Sequence, residues 1–147
     1  MKNLFLIIFV FVSIQLFAQT STPDYKISTI KILPFDYKTG EFKPEIKTGN
    51  MDIFFNAFST SLFVVVEVSG KPGSYEGNRK VEIQVLEGKK KKATKVEKNM
   101  LLGDQGKYFI PILLEPMMCA DIKITARILG QKTNSTLIRT IPFNCGE

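Results

Sequence analysis

Alternation of apolar and polar residues dominates the chain from about residue 25 onward. In KVEIQVLE, residues 80–87, Val81, Ile83 and Val85 alternate with Glu82 and Gln84, which predicts a strand with one face buried and the other in water. The pattern returns in ADIKITARIL, where Ile122, Ile124, Ala126 and Ile128 oppose Asp121, Lys123, Thr125 and Arg127. Strands of this one-sided kind suit antiparallel sheets. SLFVVVEVS, residues 61–69, is instead a continuous apolar run rich in β-branched residues and predicts a central strand covered on both faces. Further strands are predicted in YKISTIKIL from Tyr25, MDIFFNAF from Met51, TKVEKNML from Thr94, GKYFIPILL from Gly106 and TLIRTIPF from Thr136. Turn-rich stretches separate them, and no segment carries a helical period. Pro111 and Pro142 fall inside two of these strands, which places them at edges or bulges. The longest irregular piece, Pro34 to Asn50, is expected as a small hairpin around Lys38-Thr39-Gly40 or as a loop, and loops on a rigid scaffold are natural binding surfaces.

The first 18 residues break the pattern. Lys2 precedes an apolar block from Leu4 to Phe17, and Ala18 precedes polar Gln19 to Thr22, the layout of a secretory signal peptide. The block is too short to cross a bilayer as a helix, which takes roughly 20 apolar residues. The expected organisation is a signal peptide over 1–18, a flexible mature N-terminus over 19–24 and a single domain over 25–147, secreted or periplasmic and not integral to a membrane after cleavage. That domain is long enough to bury a core of its own. Export also makes Cys119 and Cys145 an expected disulfide. Closing a loop of about 26 residues would stabilise the fold by about 3.5 kcal/mol on chain-entropy grounds. Centring the last hairpin on Lys132 sets the cysteines opposite each other but pairs Ile124 with Thr140. A shift by one pairs Ile122 with Phe143 and Ile124 with Ile141, a better apolar match, and a bulge near Pro142 would satisfy both demands.

The stretch DQGKYF, with Asp104, Gly106 and Tyr108, resembles the corner before strand F in immunoglobulin-like domains. In that family a tyrosine hydroxyl bonds back to nearby backbone and a cysteine follows two residues later. Here Ile110 stands in the cysteine's place, and the chain has no tryptophan for an antibody-type core. The resemblance implies an all-β, antiparallel immunoglobulin-like β-sandwich of about seven to eight strands, and it brings no function with it.

Candidate chemistry is mostly excluded. Without histidine there is no Ser-His-Asp or Cys-His arrangement, and bridged cysteines leave no thiolate for catalysis or zinc. No Asp-rich loop suggests calcium. Ser28-Thr29-Ile30-Lys31 and Lys38-Thr39-Gly40 match two β-lactamase signatures, but Ser28 lies in an alternating strand rather than opening a helix. No carboxylate pair is singled out for glycoside cleavage. Asn134-Ser135-Thr136 is a glycosylation sequon whose use depends on the host. The expectation is a protein that is no enzyme and needs no metal or other cofactor.

Charge adds one feature. The formal net charge is +6, and between Lys71 and Lys98 nine basic residues stand against four acidic ones. Within that stretch Lys89, Lys90, Lys91, Lys92 and Lys95 lie where a strand connection is expected. A solvated connection that also blocks edge-to-edge association accounts for the run. The sharper alternative is a polyanion contact with acidic polysaccharide or anionic lipid. Nucleic acid is disfavoured, because no aromatics are interleaved for base stacking. The function expected is therefore an exported, non-enzymatic module that binds a protein or cell-surface partner through loops or a sheet face. Its alternatives are a polyanion-binding module using Lys89 to Lys95, and an inhibitor or accessory subunit of an exported complex.

Overall fold

The computed structural model describes residues 24–47, 60–115, 120–133 and 135–142. The signal peptide, nearly all of the 19–24 segment, the strand expected from Met51, the Cys119–Cys145 bridge and Asn134 lie outside the described residues. Within them the secondary structure is entirely antiparallel β. In chain order the strands are β1 (Lys26–Asp36), β2 (Glu41–Phe42), β3 (Thr60–Ser69), β4 (Tyr75–Glu76), β5 (Lys80–Glu87), β6 (Lys90–Glu97), β7 (Met100–Leu101), β8 (Lys107–Leu114), β9 (Ile122–Leu129) and β10 (Ser135–Ile141).

Two four-stranded sheets form, in the orders β2-β1-β3-β8 and β10-β9-β5-β6, and a two-stranded ribbon pairs β4 with β7. Period two decides which side chains meet. Ile30 and Ile32 of β1, Leu62, Val64, Val66 and Val68 of β3, and Ile110, Ile112 and Leu114 of β8 point from the first sheet into the core. Val81, Ile83 and Val85 of β5 with Ile122, Ile124, Ala126 and Ile128 of β9 point into it from the second. The two sets make one apolar cluster. Fully burying one such side chain contributes about 1.5–3 kcal/mol, so this cluster supplies the main stabilising term.

Several sequence expectations are corrected in detail. β3 is central, as its apolar run suggests, but only one face is sealed: Phe63 and Val65 on the other are half-buried. Pro111 sits on β8, an edge strand, while Pro142 falls just beyond β10. The piece after Pro34 does form a small hairpin, closed by the Gly40 N–H on the Asp36 carbonyl at 2.8 Å. There the Lys38 N–H and the Lys43 ammonium hold the Asp36 carboxyl below the usual aspartate range against the opposing effect of burial. Lys43 and Ile46 then run back along β1, donating backbone N–H groups to Pro34 and Ile32.

The last hairpin takes neither expected register. Ile141 lies opposite Ile122, Arg139 opposite Ile124 and Leu137 opposite Ala126. Arg139 therefore faces inward and Ile138 outward, the reverse of what hydrophobic matching suggests. The cause is at the sheet edge, where the inward-facing guanidinium reaches the Ile30 and Ile46 carbonyls and satisfies them.

Candidate binding surfaces

The lysine run is not the connection it resembles in sequence. The chain reverses at Gly88 and Lys89, with Gly88 at a φ of +55° that glycine adopts without a Cβ penalty, and Lys90 already belongs to β6. β6 is an edge strand, so charged residues there fit the protection of an open sheet edge. The register on β5 shifts between Val85, opposite Ala93, and Leu86, opposite Lys91, which leaves Lys92 as the extra residue of a bulge.

Alternation and bulge disperse the run. Lys91 lies opposite Leu86, whose neighbours Val85 and Glu87 are buried, and so it shares the outward face. Lys90 lies opposite Glu87, on the other side of the strand. Lys92 is withdrawn into a 2.9 Å ion pair with the buried Glu87. Lys95 donates to the Pro111 carbonyl of β8 at 3.0 Å and lies 3.7 Å from Glu97. In place of these two, the sheet brings up Lys123: Leu86 pairs with Lys91 on one side and with Lys123 on the other. A residue 32 positions from Lys91 in sequence thus joins its row. Strand spacing puts the two Cα atoms about 10 Å apart, a separation only the fold reveals.

The pattern around Asp104, Gly106 and Tyr108 has a local explanation. The Gly106 N–H closes a turn on the Gly103 carbonyl at 2.8 Å. Gly106 has φ +68°, and a Cβ there would sit 2.4 Å from the Gly70 carbonyl oxygen, so the position needs glycine twice over. Asp104 is exposed in the turn. Tyr108 is half-buried, and its hydroxyl faces the Glu97 carboxylate. Burial, then the Glu97 charge and the hydrogen bond to it, raise the phenol above its ordinary value.

A second surface escaped the sequence reading. The outward side of the sheet β2-β1-β3-β8 carries Leu33, Phe63 and Leu113 in one row, with Phe35 and Phe42 beside them. The Phe42 ring lies 5.1 Å from that of Phe35 and 5.7 Å from that of Phe63. Phe42, Phe109 and Leu113 are each at least half exposed. The charges around this face are mostly self-neutralised: Asp36 pairs with Lys43 at 3.1 Å and Glu67 with Lys107 at 3.0 Å. Among the described residues Lys31, opposite Val65, forms no ion pair. The signal was present as aromatic residues at alternate positions near Pro34, but it was spread over four strands.

A shallow groove of about 380 Å³ runs between β1 and β10 past Ser28, Thr29, Glu45 and Arg139. Of its two cations, Arg139 and Lys47, Arg139 is already engaged by the Ile30 and Ile46 carbonyls and by Glu45. Among the described residues no three His, Cys, Asp or Glu side chains converge as metal ligands.

No protein-family model matches this chain, and no curated protein matches it. Eleven chains of solved structures do. One is a crystal structure from Bacteroides fragilis, named "putative beta-galactosidase", with 12% identity and a TM-score of 0.49. The match covers 80% of this chain and 17% of that one, so the chain spans about a sixth of that protein's length. The likeness is to a region of a longer chain and bears on neither ligand nor activity.

Proposed function

We propose that this chain is an exported, non-enzymatic module of immunoglobulin-like sandwich type that binds a partner protein on the outward face of the sheet β2-β1-β3-β8. The observation that carries the reading is the row Leu33, Phe63 and Leu113, with exposed Phe42 beside it and exposed Phe109 two outward rows further along β8, past Val65 and Pro111. Large contiguous apolar patches in water are characteristic of interaction sites. The partner's chemistry follows from the charges. With Asp36 and Glu67 already paired, the face suits an apolar surface bearing one carboxylate to meet Lys31. Strand order supports the immunoglobulin-like assignment: β1, β3 and β8 take the places of A, B and E, and β10, β9, β5 and β6 those of G, F, C and C′. In that correspondence Tyr108 belongs to the E strand rather than to F.

The test compares purified protein with a Phe109→Ser/Leu113→Ser variant in the native exported fraction at high salt. A stoichiometric complex kept by the parent, lost by the variant and weakened by Lys31→Glu supports the reading. Self-association through the same residues, seen by light scattering, would make the occupant a second copy and overturn it. Turnover of any saccharide or peptide would overturn the non-enzymatic part.

A further inference from the structure

The sheet β10-β9-β5-β6 turns a different face outward. Of the outward positions on its strands the one acid, Glu82, is taken by Arg127 through two contacts of 3.0 and 3.1 Å, and a second exposed acid, Asp121, stands just before β9. Lys91 and Lys123, flanking Leu86, have no ion pair among the described residues, and the tip residue Lys89 stands beside them. The tip is held against the start of β9 by the Gly88 N–H on the Asp121 carbonyl at 2.7 Å. The next outward row runs Thr94, Gln84, Thr125, with Gln84 paired to both threonines.

We propose that these two rows form a binding site for a linear acidic polysaccharide. The first row supplies cations to carboxylate or sulfate groups. Lysine suits this as a mobile point charge with no demand for a bidentate partner. The second row supplies two hydroxyls and an amide, which donate to and accept from the ring hydroxyls of the same polymer. A sheet face with both chemistries in adjacent rows fits a chain lying across the strands. Nucleic acid would need aromatic platforms for its bases, and the outward positions of this sheet carry none. A lipid surface would use the cations and leave the hydroxyl and amide row idle. The site excludes Lys92 and Lys95, which the fold spends on Glu87 and Pro111.

The test measures binding of purified protein to polygalacturonate, to neutral dextran and to phosphatidylglycerol vesicles across a salt series. The variants are Lys91→Gln/Lys123→Gln and, matched in charge, Lys90→Gln/Lys98→Gln. Thermal melts confirm that both fold. The expected result is polygalacturonate binding at low salt that falls on the order of tenfold in the first variant and less than about twofold in the second. The slope of log affinity against log salt should drop by roughly one to two in the first variant. Thr125→Val should weaken the polysaccharide contact and leave any vesicle binding unchanged. Equal losses in the two charge-matched variants would reduce the effect to net charge and overturn the site. Binding to vesicles but not to polygalacturonate, or to neither, would overturn the ligand class.

Discussion

The two sheets meet along two seams, and the seams are closed by different chemistry. Where β10 passes β1, side chains of the last hairpin bond to main chain. Ser135 accepts the Ile27 N–H at 2.9 Å, Gln131 accepts from and donates to Tyr25, and Arg139 donates to the Ile30 and Ile46 carbonyls. Where β6 passes β8, the links are Lys95 to the Pro111 carbonyl and Tyr108 to Glu97. The first seam rests mainly on two neutral side chains and a guanidinium that never deprotonates in proteins, with Glu45 3.3 Å from that guanidinium as its one carboxylate partner. The second depends on lysine, glutamate and tyrosine, all titratable and partly wet. An edge strand's polar groups must find partners wherever water is excluded, and the partner chosen sets how the seam responds to pH and salt. The weaker seam also lies between the strand that carries Lys91 and the strand that carries Phe109 and Leu113.

The sharpest test of this asymmetry is Arg139→Ala. It removes the donor from two main-chain carbonyls in a mostly buried setting, and a loss of about 2–4 kcal/mol is expected. Urea unfolding with an unchanged m-value measures it. A loss below about 0.5 kcal/mol would mean that water replaces the guanidinium freely, and the two seams would then be alike. Ser135→Ala comes next. It leaves the Ile27 N–H without its acceptor, and a cost of about 1 kcal/mol should appear in the same titration.

Arg139 also shows where sequence stops being informative. The existence of the long strands was legible, because Val81, Ile83 and Val85, or Ile122, Ile124 and Ala126, can hide one face only by pairing in period two, whereas the two-residue strands β4 and β7 were not. Register was not legible in TLIRTIPF, where the isoleucine at 138 points to water and the arginine beside it points inward. Apolar matching fails at a sheet edge, where an inward polar group can satisfy main chain that no neighbouring strand reaches. The lysines failed in a related way. Four consecutive cations suggest one patch, yet alternation and the bulge at Lys92 send them in different directions. Lys123 joins Lys91 only through pairing across β5, and the apolar face is built from residues on four strands. Neither surface is local in sequence, so no window along the chain could have assembled it.

The other seam should yield the smaller effects. Lys95→Ala removes a half-buried side chain whose acceptor, the Pro111 carbonyl, lies on an edge open to water, and a change within about 0.5–1 kcal/mol is expected. The last prediction concerns Tyr108, where the sign can be worked out. Burial first, then the Glu97 carboxylate, disfavour the phenolate, so the folded-state value lies above the ordinary 10.0. The folded state thus favours the protonated phenol, and this contribution is fully present below the unfolded value and lost as pH rises through the folded one. Glu97→Gln removes the carboxylate's charge and leaves burial in place. The phenolate absorbance midpoint of Tyr108, isolated by difference from a Tyr108→Phe variant, should therefore fall part of the way toward the ordinary value and stop short of it. A midpoint unmoved by Glu97→Gln would mean that burial alone sets the shift and that Glu97 does not help close the seam. A midpoint that fell all the way would mean that the phenol is not shielded from water, and β6 and β8 would then be held together at that point by charge alone.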